Sequence, residues 1–156
     1  MAENLPAGCD SRVIAAFDYW RSRHAADGAL PGRKSIDPIE MRSFLPDICL
    51  YEVQQKPIRF RYRVIGTQIT ARMEHDTTGS WLDEVHPRFV GSPAYEEFVS
   101  VARRETPFAY YRGIPLFHTT RDYRIMERIL LPLAQDGVTV DMMLAVVVFD
   151  PLQTQT

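Results

Sequence analysis

The residues able to do chemistry in this chain are few and scattered. Histidines stand at 24, 75, 86 and 118, and cysteines at 9 and 49. Neither cysteine sits in a CxxC pair or has a histidine beside it in sequence, so zinc binding and thiol catalysis both lack their usual spacing. His75-Asp76 could begin a metal site, but His24 and His118 add no ligands at helical spacing. A surface turn is the simpler reading. His86 precedes Pro87 and reads as a turn residue before it reads as a base. There is no Gly-x-Ser-x-Gly elbow and no glycine-rich loop ending in Lys. Asp83-Glu84 could form a carboxylate pair for acid–base work. Neighbours on a helical turn diverge by about 100°, which favours two solvated groups.

Glu127 is more informative. On a strand it shares an apolar face with Tyr123, Ile125, Ile129, Leu131 and Leu133, where an unpaired carboxylate is costly to bury. Either an arginine pairs with it, with Arg63 or Arg112 available, or it is a polar anchor inside a ligand pocket. Arg59, Arg61 and Arg63 alternate with Phe60, Tyr62 and Val64. That basic row reads as the solvated face of an edge strand, or as a contact for an acidic partner. Tyr62, Phe98, Phe108, Tyr110 and Tyr111 could line a cavity or fill a core.

The elements that carry these residues belong to one domain. The chain has 156 residues, 18 Lys+Arg against 20 Asp+Glu, and 46% hydrophobic residues. That length leaves no room for a sensor plus a separate kinase, cyclase or DNA-binding output. A net charge of -2 gives no global attraction to nucleic acid or anionic membranes. The start lacks the charged-then-apolar order of a signal peptide, and the longest apolar run, 142–149, is too short to span a bilayer. A cytoplasmic location with reduced thiols is expected.

Along the chain, residues 1–9 read as a leader. Val13, Phe17, Trp20 and His24 then recur at helical spacing, with Asp10 or Ser11 as cap and Gly28 as stop. That stripe must cover the protein's own sheet or a partner. Asp37-Pro38 opens a short helix that Pro46 ends. Strands follow at 48–53 and 59–65, joined by a turn at Lys56-Pro57. Residues 67–91 read as helical turns and loops. Ser92-Pro93 starts a firmer helix reaching about Glu105, with Tyr95, Phe98, Val99 and Ala102 buried. Strands at 108–114, 123–133 and 138–149 complete the order, the last two joined by an Asp136-Gly137 hairpin. The last strand is apolar on both faces towards its end, as expected of a central strand. The class is α+β, with a five-stranded antiparallel sheet and helices inserted between strands two and three.

This order, with local sequence, resembles a PAS domain. Arg61-Tyr62-Arg63-Val64-Ile65-Gly66-Thr67, Ile36-Asp37-Pro38 and Leu45-Pro46 resemble a family of small stand-alone bacterial PAS proteins. Residues 77–87, a Gly79 turn leading into His86-Pro87, are similar to a PAS pattern, as are Leu131-Pro132-Leu133 with Asp136-Gly137. Phe149-Asp150 stands where many PAS domains end in Asp-Ile-Thr, although Pro151 departs from that ending. The resemblance covers residues 36–150, with 1–35 as leader and flanking helix and 151–156 as tail.

The resemblance implies a sensory or protein-interaction module without enzymatic activity, signalling through a partner protein or its own assembly. Its cofactor is not named by the sequence. The helix before strand three has no histidine, which argues against His-ligated haem, and residues 67–80 have no cysteine, which argues against a photoreactive flavin. A small-molecule pocket is expected between the sheet and the helices, near Tyr62, Phe98, Tyr110, Glu127 and Met142. Val13, Phe17 and Trp20 are the expected homodimer contacts, exposed along one stripe. Neither nucleic acid nor membrane is expected as a partner. The competing reading is a small cone-shaped isomerase or hydratase using Glu127, which would place its helices before a long curved sheet.

Overall fold

A computed structural model describes residues 4–73, 75–115 and 123–151. Helix α1 spans Ser11–Ser22 and is followed by two 3₁₀ turns, Arg33–Ser35 and Leu45–Asp47. Strands β1 (Ile48–Gln55) and β2 (Ile58–Ile65) come next, then short helices α2 (Thr67–Thr70) and α3 (Leu82–Val85) and the longer α4 (Pro93–Ala102). Strands β3 (Ala109–Gly113), β4 (Tyr123–Leu133) and β5 (Met142–Pro151) end the described chain. The sheet order is β2-β1-β5-β4-β3, antiparallel throughout. Helices α2, α3 and α4 therefore lie between strands two and three, as expected, and the cone-shaped alternative is not formed. No described helix is long and apolar enough to cross a membrane.

Local chemistry explains most element boundaries. The Ser92 hydroxyl accepts from the Tyr95 N–H and Pro93 takes the first helical position, so α4 starts where the sequence predicts. It stops at Ala102, short of Glu105, because Arg104 turns to φ 59° and the Gln55 amide takes the Ala102 carbonyl at 3.1 Å. Lys56-Pro57, with a cis peptide bond, joins β1 to β2.

Three expectations are corrected. The segment after Asp37-Pro38 is a series of four-residue turns (Glu40 N–H to Asp37, Met41 to Pro38, Phe44 to Met41) and not a short helix. The last strand begins at Met142, not Val138. The Asp136 carboxylate accepts from the N–H groups of both Val138 and Thr139 and holds an open loop, leaving Val138 64% exposed. In β2 the pairing slips, with Leu50 opposite Val64 but Tyr51 opposite Tyr62. The bulge at Arg63 turns Val64 away from the face that Phe60 and Tyr62 share.

Strand β5 lies between β1 and β4 and is buried on both faces from Met143 to Phe149, as its two apolar faces require. Tyr51, Tyr62, Met143 and Arg128 face the inner layer, α4 and the loops around it. Leu50, Leu144, Ile129 and Glu127 face the outer layer, which includes α1.

Candidate functional site

The five residues expected to share a pocket lie on opposite faces of the sheet. Tyr62 and Phe98 are on the inner side, in a stack of rings: Tyr51 to Tyr62 at 5.5 Å, Tyr51 to Phe98 at 5.1 Å, and Phe60 to Phe98 at 5.2 Å between centroids. Tyr110, Glu127 and Met142 are on the outer side, since strand alternation gives each the parity opposite to Arg128 and Met143. Alternation along one strand fixes its own two faces and not their relation to those of another strand.

The polar centre of the inner face is Arg128, which the sequence reading did not single out. It is 1% exposed and its Nη2 pairs with Glu97 of α4. Its guanidinium carbon lies 5.4 Å from the centre of the Phe98 ring and 5.7 Å from that of Tyr111, within range of cation–π attraction. Nε and Nη1 are buried and have no hydrogen-bond partner among the described residues. Each such donor costs about 1–3 kcal/mol, more when charged. The signal was present in the sequence, because Met126 and Leu130 flank Arg128 at the two-residue period of a buried face.

Other polar groups line the same side. Tyr62 Oη and His86 Nε2 are 2.7 Å apart, and burial holds the His86 ring down at about 4. A neutral imidazole can accept a hydrogen bond from the Tyr62 hydroxyl there, so His86 is a part-buried hydrogen-bond partner and not merely a turn residue. Burial keeps Tyr51 and Tyr62 protonated well above their usual range and pushes the Cys49 thiol up to about 12. None of these groups is poised as a nucleophile.

On the outer face Glu127 is committed to structure. Its Oε2 accepts the backbone N–H of Asp10 at 2.8 Å, and Asp10 in turn caps α1 by accepting from the Arg12 N–H at 2.8 Å. Arg63 lies against Glu52 instead, Arg112 stands opposite Glu127 in the β3–β4 register, and the carboxylate anchors the start of a helix. Burial first, then the Cys9 thiol and the Glu127 carboxylate, raise the Tyr110 hydroxyl.

The expected exposure of the α1 stripe is also corrected. Val13, Phe17 and Trp20 are buried against the chain's own sheet, and Trp20 Nε1 donates to the Pro132 carbonyl at 2.8 Å. Burying each of the two aromatic side chains contributes about 1.5–3 kcal/mol, so the stripe covers its own sheet first.

The basic row of β2 is likewise occupied. Arg59 binds Asp83 and Glu84 and lies 4.1 Å over the Trp81 ring. Arg61 pairs with Glu52, and Arg63 Nε lies 3.7 Å from the same carboxylate. Residues 79–81 cover the edge: Tyr62 N–H donates to Ser80 and Gly79 N–H to Tyr62. Asp83-Glu84 therefore serve Arg59, not acid–base work.

Comparison with known proteins gives two positive findings. Residues 10–148 match the family described as PAS domain. The crystal structure of a sensory box sensor histidine kinase from Vibrio cholerae is similar in fold, with a TM-score of 0.51 and 13% sequence identity. The match covers 74% of this chain and 92% of that one. No curated protein matches.

Proposed function

The chain belongs to the PAS domain family, and from that premise we propose that it is a sensory module whose inner face receives a small anion, such as a carboxylate, at Arg128. The observation that carries this reading is the buried guanidinium with Nε and Nη1 unpartnered among the described residues. A charge-assisted hydrogen bond to an anionic oxygen satisfies such donors and is about twice as strong as a neutral one. The rings of Phe98 and Tyr111 frame the cation, and Tyr51 and Tyr62 supply hydroxyls on the same side.

The module acts by reporting and not by catalysis. A charge arriving at Arg128 alters β4 one residue from Glu127, which holds the start of α1. The readout is a change in how α1 sits on the sheet, presented to a signalling protein. Native mass spectrometry of the purified protein, with a thermal-shift panel of small carboxylates, tests this. A retained or stabilising anion that Arg128→Met abolishes is the expected result. A folded wild type that carries no anion and responds to none overturns the reading.

A further inference from the structure

The outer face of the sheet has a cavity of its own. Chain 33–47 runs across β1, β2 and β5 beside α1 and borders a half-open cavity of about 340 Å³, walled by Ile36, Met41, Ile48, Leu50, Val64 and Leu144. Small-molecule sites begin at about this size and are mostly apolar with a few placed polar groups. A second groove, of about 770 Å³, shares Arg33, Leu50 and Val64 with the first. The shared residues place the two side by side, the first mostly apolar and the second charged. The Arg63 bulge opens both by turning Val64, 38% exposed, to this side.

The charged end carries Arg33, Lys34 and Arg63 against Glu52 and Asp141. The two carboxylates are already engaged, Glu52 by Arg61 and Arg63 and Asp141 by the Gln135 N–H. Arg33 donates to the Ile36 carbonyl at 3.2 Å. Among the described residues neither Arg33 nor Lys34 has a carboxylate partner, so the rim has unbalanced positive charge next to an apolar chamber.

We infer that the two together form a second ligand site, for an amphipathic anion: one alkyl chain among Ile36, Met41 and Leu50, with its carboxylate at Arg33 and Lys34. It goes beyond the inner-face reading and does not rest on it. Apolar burial sets the chain-length dependence, about fourfold in affinity per added CH₂ until the chamber is full. The exposed rim charges set the preference for an acid over an alcohol, and that preference weakens with salt.

Calorimetry on the full chain with octanoate, decanoate and decanol, below their micelle or solubility limits, tests it. Decanoate is expected to bind more tightly than octanoate. Lys34→Glu should weaken decanoate several-fold and leave decanol unchanged, while Val64→Trp should weaken both by about tenfold with no loss of folded protein. Amide shift changes on adding decanoate should centre on Leu50 and Gly66. Failure of decanoate to bind, or binding indifferent to both variants, overturns the inference. Shifts centred on Phe98 and Arg128 also overturn it, while leaving the inner-face reading standing.

Discussion

Glu127 and Arg128 are consecutive on β4 and serve opposite faces of the sheet. The carboxylate holds the Asp10 N–H at 2.8 Å outside, and the guanidinium lies buried against Phe98 inside. One peptide unit thus joins the inner-face cation to the start of α1. Such adjacency transmits a displacement without a long chain of contacts. It also makes the two side chains separable by mutation.

Glu127→Ala should loosen the first turn of α1 and leave the inner face intact. Removing the acceptor strands a part-buried N–H, at about 1–3 kcal/mol. Glu127→Gln keeps an acceptor oxygen and should lose less. Urea denaturation gives the cost, and hydrogen exchange across residues 11–22 locates it. Unchanged exchange in the alanine variant would contradict the anchoring role.

Trp20→Ala should destabilise the fold by about 3–5 kcal/mol, because the indole is 4% exposed and bonded to Pro132. Sedimentation of the variant, compared with wild type under conditions where both are folded, should show the same assembly state. A selective shift towards monomer at unchanged stability would restore the stripe as a dimer contact. Any second copy is expected to use the outward side of α1, where Ile14 is 42% exposed.

The Tyr62–His86 bond predicts a pH dependence. Folded His86 titrates at about 4, against 6.5 for the free group. Between those values the unfolded chain takes up a proton that the folded chain refuses. Stability is therefore undiminished above pH 6.5 and falls as pH drops towards 4. A thermal midpoint lower by several degrees at pH 4.5 than at pH 7 is expected, and His86→Gln should reduce that difference. Asp10, whose carboxyl the Arg12 side chain holds below its ordinary 3.8, contributes at lower pH. Identical pH profiles for wild type and His86→Gln would count against the assignment.

Gly66 has a steric reason to be glycine. Its N–H donates to Ile48 at 2.7 Å, and a Cβ there would lie 2.4 Å from the Pro46 carbonyl oxygen. The obstacle is backbone, which cannot swing aside as a side chain can. Gly66→Ala should cost about 1–3 kcal/mol, read from a urea melt. It should also disturb amide shifts along 45–48, the floor of the outer cavity.

The order of elements could be read from the sequence because it rests on local signals. The alternation of 59–65, the Ser92-Pro93 cap and the doubly apolar strand at 142–149 each specify a local state. What could not be read depends on how strands align. The bulge at Arg63 reverses Val64 without leaving a mark in the alternation. The register of β4 on β5 decides that Glu127 lies under α1, where the target is the backbone of Asp10. Backbone partners carry no residue signature, so a search for an arginine partner could not find it. The stripe of α1 posed a similar difficulty, since periodicity shows that a face is covered but not by what.

Arg128 and Glu97 allow a final separation of structure from function. A buried ion pair is held at a desolvation cost that its attraction only partly returns, so replacing a buried charge by an apolar group of similar length is often neutral or stabilising. Arg128→Met should therefore fold with stability within about 1.5 kcal/mol of wild type, because Glu97 is half-exposed on α4 and can turn to water. Glu97→Gln keeps the buried cation and removes its counter-charge, and should cost about 3–5 kcal/mol. Ligand response runs differently: the methionine variant loses anion binding, while the glutamine variant, with less competition for the guanidinium, binds anions more tightly and recovers stability when they are added. Parallel urea melts with and without a small carboxylate read both effects. If Arg128→Met collapsed the fold while Glu97→Gln were neutral, the guanidinium would be a packing element and not a receptor for charge.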